Sequence, residues 1–238
     1  MFVTNEGELV PADMMILIFS KKILENNPGA GIVFDIKCSQ VLEEKIREWK
    51  GIPIRWKTGY TNIKRKIKEA EALLGGELSG HFFFREGDII WDDGIFTSVE
   101  FLNILEEIKE RNLTFQELVN QIPRYISLEE MRIKVLGENP EEEKRRIVQN
   151  VKEYFEDKKL KIETIDGARI LFEGGWALIR PSETEPKITI RIEATSEEIL
   201  KKICSEFFGK LKKYSLFHKI FLILTSLNFS CVFKLKIP

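Results

Sequence analysis

With 238 residues, 43% hydrophobic and 32% charged, the chain can form one large or two small domains, each with its own core, and it reads as globular. A formal net charge of −1 leaves no overall basic field for nucleic acid, so an anionic ligand would need a local cluster of Arg and Lys. Cys38, Cys204 and Cys231 are odd in number and widely spaced, which excludes a zinc pattern and a disulfide framework. A reducing cytoplasm is therefore the default location, and Met1-Phe-Val-Thr-Asn-Glu6 is no signal peptide.

In chain order, 13–25 reads as a helix stopped by Asn26-Asn-Pro-Gly29, and Gly31 to Ile36 as a buried strand. A helix is expected over 40–50, a strand over 52–56 and a basic amphipathic helix over 62–74. Short strands follow around 81–84 and 88–91, then Asp92-Asp-Gly94 as a turn and cap for a helix over 96–110. Strands alternating with helices indicate an α/β layer with a largely parallel sheet. After a connection with a short helix over 111–123 the rhythm changes. A strand over 127–135, a charged helix over 141–159, four strands between 160 and 193 and a final helix capped by Ser196 make an α+β unit. Its sheet is expected to be mostly antiparallel, with turns at Asp166-Gly167 and Glu173-Gly-Gly175 and two backing helices. The tail over 214–238 lacks this binary pattern: Ile220 to Phe233 carries no charge but is too short and interrupted for a membrane helix. It reads as sequence past the natural end of a gene, with an added hairpin or strand as the alternative.

Two segments carry candidate chemistry. In Arg180-Pro-Ser-Glu-Thr-Glu-Pro186 the planar Arg180 fork can hold a phosphate through two hydrogen bonds, while Ser182 and Thr184 add hydroxyl donors. The bland alternative is a polar turn with an exposed arginine, and Glu183 and Glu185 oppose an anion unless they point away. In Gly76-Glu-Leu-Ser-Gly-His81, Glu77 can accept from adjacent sugar hydroxyls, and Ser79 can donate or accept. The alternative is a glycine-rich strand entry, with His81 as a core histidine held by a backbone carbonyl. Asp35-Ile-Lys37-Cys38 and Lys57-Thr-Gly59-Tyr60 each follow a strand, where ligands of α/β sheets collect, and Lys37 would add positive charge there.

Taken in order, these motifs resemble the α-D-phosphohexomutase superfamily, above all its phosphomannomutase/phosphoglucomutase members. Arg55-Trp-Lys-Thr-Gly-Tyr-Thr-Asn-Ile-Lys64 resembles the third-domain loop, and the segment 76–81 the sugar-binding loop. Asp92-Asp-Gly94, Asp166-Gly167 and Trp176 fall at the family's spacing, and 180–186 is similar to the fourth-domain phosphate loop. The resemblance, over 1–213, implies an isomerase whose phosphoserine exchanges a phosphoryl group between C1 and C6 of a hexose, with Mg2+ assisting.

It further implies a remnant of the second domain over 1–26 and an α/β mixed-sheet, sugar-binding domain over 27–123. An α+β phosphate-binding domain with a mostly antiparallel sheet backed by two helices would span 124–213. Lys37, Lys57, Gly59, Tyr60, Glu77, Ser79 and His81 would contact substrate; Arg180, Ser182, Glu183 and Thr184 would hold phosphate. Tyr60 stands where many members have histidine, and Glu183 replaces the usual Gly or Asn, so its carboxylate is expected to point outward. The phosphoserine and the Asp-Gly-Asp-x-Asp-Arg metal loop are absent from this sequence, so no catalytic residue and no Mg2+ ligand is expected in it. The expected partners are hexose 1-phosphate or 6-phosphate and a separate N-terminal fragment carrying the serine, with neither nucleic acid nor membrane. A non-catalytic sugar-phosphate-binding module is the remaining alternative.

Overall fold

The structure, a computed structural model, describes residues 1–211 and divides into two compact units, Met1–Arg124 and the part from Tyr125 onward. The tail singled out over 214–238 lies outside the described residues. Among the described residues no helix is long and apolar enough to cross a membrane.

The first unit begins with a hairpin of β1 (Phe2–Val3) and β2 (Leu9–Val10), followed by α1 (Ala12–Asn26). Then come β3 (Gly31–Asp35), α2 (Gln40–Glu48), β4 (Ile52–Trp56), α3 (Tyr60–Glu69) and β5 (Leu74–Gly76). The hairpin of β6 (Phe82–Glu86) and β7 (Ile89–Asp92) leads into α4 (Gly94–Glu110) and α5 (Phe115–Asn120). The sheet order is β4-β3-β5-β6-β7. The pairs β3/β4 and β3/β5 are parallel, because helical crossovers return the chain to the same end; the tight connections into β6 and β7 make the other two pairs antiparallel. The sheet is thus mixed, as the resemblance implies, and less parallel than the strand–helix alternation suggests.

The expected helix over 62–74 ends at Glu69, and Leu74–Gly76 is a strand. Glu71 takes a left-handed φ of 50° that breaks the helix. Two glycines then let the strand lie between helices. A Cβ on Gly75 would meet Ile67 Cδ1 of α3 at 2.4 Å, and one on Gly76 would meet Ile16 Cδ1 of α1 at 2.4 Å. Residues 1–26, read as a remnant of another domain, supply a layer of this unit: Met14 to Phe19 are buried, and Phe2 stacks edge-on against Phe19, Phe82 and Phe101.

The second unit contains β8 (Ile126–Ser127), β9 (Met131–Lys134), α6 (Pro140–Asp157), β10 (Lys161–Glu163), β11 (Ala168–Phe172), β12 (Gly175–Pro181), β13 (Lys187–Ala194) and α7 (Glu197–Leu211). Every pair is antiparallel in the order β10-β11-β12-β13, with β8 and β9 sharing the outer edge of β13. The single strand expected over 127–135 is therefore two. Ser127 and Met131 are four residues apart while their partners Glu193 and Ile190 are three apart, so a bulge divides them. One sheet face, with Ala177, Ile179, Ile188, Ile190 and Ile192, packs on Ile147, Val151 and Phe155 of α6 and Leu200, Ile203 and Phe207 of α7. The alternate residues, Arg169, Trp176, Leu178, Arg180, Arg191 and Glu193, take the opposite face, as the two-residue strand period requires.

Candidate functional site

In the first unit β3, β4 and β5 run parallel, so the loops over 36–39, 57–59 and 77–81 open at one edge of the sheet, beyond the strands' carboxyl ends. Asp35, the fully buried last residue of β3, ties two of them together. Its Oδ1 accepts from the Lys37 amide at 3.0 Å and the Cys38 thiol at 3.3 Å, and its Oδ2 accepts from the Leu78 amide at 3.4 Å. The Lys37 ammonium, buried itself, lies 3.6 Å from Asp35 Oδ2. Burial pushes the Asp35 carboxyl above its ordinary pKa, and the Lys37 charge pulls it partway back.

Glu77 ties in the third loop: its Oε1 accepts from the Gly59 amide at 2.6 Å, and the residue is only 3% exposed. Burial raises its pKa, the nearby Asp35 charge raises it further, and the Gly59 N–H opposes both. Lys37, Gly59 and Glu77 thus form one cluster around Asp35. Lys57, Tyr60, Ser79 and His81 are exposed on the flanking segments. Tyr60 leans against Phe83, ring centroids 5.5 Å apart, with the Lys64 ammonium 3.1 Å from its hydroxyl. His81 is no core histidine: its side chain is 53% exposed, and Nδ1 lies 3.2 Å from Asp92 Oδ2. Asp93 caps α4, its Oδ1 accepting from the Ile95 and Phe96 amides at 2.7 and 2.9 Å.

In the second unit, β12 delivers Arg180 to the base of the loop over 181–186. Its Nε lies 2.9 Å from Asp166 Oδ2, both side chains being more than nine-tenths buried. Gly167 makes this approach attainable. At φ 81° it takes a left-handed turn, and a Cβ there would stand 2.4 Å from the Ile179 carbonyl and 2.6 Å from Arg180 Cβ. The contact is an ion pair without hydrogen-bond alignment at Nε, and the terminal guanidinium nitrogens have no hydrogen-bond acceptor among the described residues. The loop is closed by its own polar groups. Ser182 Oγ accepts from the Glu185 amide at 3.2 Å and the Thr184 amide at 3.4 Å, and stands 3.5 Å from Thr184 Oγ1. Glu183 is exposed, while Glu185 pairs with Lys187, whose hydrogen bond holds the carboxyl below its ordinary pKa. Arrayed together, an ion-paired guanidinium, two hydroxyls and a tight loop suit a tetrahedral oxyanion.

Sequence reading passed over Asp35, named only as part of a loop motif, and Asp166, read only as a turn residue. It also missed Lys144, a lysine only 2% exposed beneath the loop. The alternation of Trp176, Leu178 and Arg180 on one face carried a usable signal for a partner on the neighbouring turn. Lys144 carried none, since it lies 38 positions from the carbonyl it holds.

Comparison with known proteins matches residues 11–125 to "Phosphoglucomutase/phosphomannomutase, alpha/beta/alpha domain III" and 133–210 to "Phosphoglucomutase/phosphomannomutase, C-terminal domain". A phosphomannomutase/phosphoglucomutase of Pseudomonas syringae pv. tomato is 37% identical over 211 residues, 89% of this chain and 44% of its own length. A phosphomannomutase of Methanocaldococcus jannaschii is 31% identical over 89% of this chain and 44% of its own. The crystal structure of a phosphoglucomutase/phosphomannomutase family protein from Burkholderia thailandensis superposes with a TM-score of 0.74 at 33% identity, covering 88% of this chain and 43% of that one. The chain thus spans less than half the length of the curated relatives it matches.

Proposed function

The chain belongs to the phosphoglucomutase/phosphomannomutase family, as its domain III and C-terminal domain, and from this premise we propose that it is the substrate-reading portion of a hexose phosphomutase, an isomerase moving phosphoryl between C1 and C6. In this reading Glu77 and Ser79 exchange hydrogen bonds with sugar hydroxyls, flanked by Lys37, Lys57, Gly59, Tyr60 and His81. Arg180, Ser182, Thr184 and the backbone at Glu183 hold the phosphate that is not reacting. The observation that carries it is Arg180, ion-paired with Asp166 at 2.9 Å at the base of a loop bearing two hydroxyls. Such a fork gains from a dianion at fixed distance, and holding the sugar by one phosphate positions the other end for transfer.

Among the described residues no three His, Cys, Asp or Glu side chains gather as a metal site. No step through Mg2+ is assigned to this chain. In this reading the 238-residue polypeptide by itself binds a hexose 1-phosphate or 6-phosphate without turning it over. Titration calorimetry with glucose 6-phosphate tests this: Arg180→Ala should weaken binding by about tenfold or more, the scale of a charge-assisted pair. An unchanged Kd rejects the phosphate-loop assignment, and conversion of glucose 1-phosphate to glucose 6-phosphate by the pure chain rejects the loss of turnover. A second proposal is a split mutase of the cytoplasm, in which another polypeptide supplies the serine. It predicts that such a polypeptide co-purifies from the native cell.

A further inference from the structure

Lys144 lies in the second turn of α6 and is 2% exposed, a costly place for an ammonium unless every donor is met. Its Nζ donates to Glu141 Oε1 at 2.7 Å, to the Ser182 carbonyl at 2.6 Å and to the Glu185 carbonyl at 3.1 Å. An ammonium has three donors, and here one meets a carboxylate while two grip both ends of the four-residue turn over 182–185. In a trans peptide the carbonyl and the following amide point opposite ways. With the Ser182 carbonyl drawn inward to Lys144, the Glu183 amide points outward. That amide has no acceptor among the described residues, whereas those of Thr184 and Glu185 are taken by Ser182 Oγ.

From this geometry we infer that Lys144 is a positioning residue of the anion site: its buried ammonium sets the Ser182–Glu183 peptide so that the Glu183 N–H becomes a phosphate donor beside Arg180. The glutamate at 183 is then compatible with an anion, because its backbone faces the ligand while its carboxylate stays in solvent. The inference rests on the phosphate-loop reading above.

Backbone amide NMR on the full chain, with glucose 6-phosphate as the probe, separates the two. In the wild type the Glu183 amide should exchange with solvent at least tenfold faster than the Glu185 amide, and ligand should shift and protect it. Lys144→Met should weaken binding about tenfold and abolish the Glu183 shift while the Arg180 Nε–H signal still responds. Lys144→Arg should restore part of the affinity. If Lys144→Met is folded and keeps the wild-type Kd and Glu183 shift, the positioning role is refuted while the phosphate loop stands. Should Lys144→Met fail to fold, the wild-type exchange pattern decides: a Glu183 amide protected before ligand is added, or unmoved when Arg180 responds, overturns the inference. No response at Arg180, Glu183 or Thr184 overturns both readings.

Discussion

The Arg180–Asp166 pair invites a quantitative test. Its side chains are 8% and 9% exposed, and Nε and Oδ2 are 2.9 Å apart, so solvent screens the pair weakly. Deleting one member leaves the other charge desolvated and unpaired, a loss on the order of 3–5 kcal/mol. Asp166→Ala and Arg180→Ala should each destabilise the second unit by about 3 kcal/mol, the low end because both groups lie beside a loop. The double variant should cost far less than the sum, with a coupling energy of about 2 kcal/mol. Trp176 is the tryptophan of this unit, the others being Trp49, Trp56 and Trp91, so urea unfolding followed through a 5-fluorotryptophan signal reports on the unit by itself. Coupling below about 0.5 kcal/mol would mean that the two residues act independently and that Asp166 does not hold the arginine.

Other consequences follow from the same structure. Gly167→Ala forces a side chain into a left-handed turn against the Ile179 carbonyl, and should destabilise by about 2 kcal/mol and weaken hexose-phosphate binding together; calorimetric melting and titration of that variant check both. Burial raises the Glu77 pKa above 4.5, so the folded state holds its proton where the unfolded chain has lost it, and stability falls as pH rises from about 4.5 until the folded value is passed. Glu77→Gln should flatten that decline in urea unfolding between pH 4 and pH 7, and an identical slope would contradict the assignment. Cys204 is 1% exposed with its thiol pushed up to about 12 by burial, so peptide mapping after iodoacetamide at about pH 8 should find it unmodified until the chain is unfolded.

Much of this was legible one-dimensionally, because the signals are local. The buried run Gly31 to Ile36, the alternating Lys187 to Ala194, the Asp93 cap and the Ser196 hydroxyl that accepts from the Ile199 amide at 3.2 Å all depend on neighbours within a few residues. The strand Leu74–Gly76 was not legible. The expected helix runs to Leu74 and Gly76 opens a sugar-reading motif, and only the side chains of Ile16, Ile63 and Ile67, pressing from both faces, make glycine the residue a strand needs there. The bulge between β8 and β9 is likewise set by register against β13.

The amino-acid order alone determined the two-part α/β then α+β plan, the placing of sugar- and phosphate-type motifs after strand ends, and the resemblance to the phosphohexomutases that the comparisons bear out. Tertiary structure alone decided what holds those motifs. Asp35 reaches the Leu78 amide 43 positions on, Lys144 reaches the Ser182 carbonyl 38 positions on, and Asp166 becomes the partner of Arg180 instead of a plain turn. Periodicity and caps act within a turn of helix or a pair of strand residues, and sequence records them directly. The partner of a buried charge is chosen by which backbone and side-chain groups the fold brings within hydrogen-bond reach after water is excluded, and that depends on the whole packed arrangement.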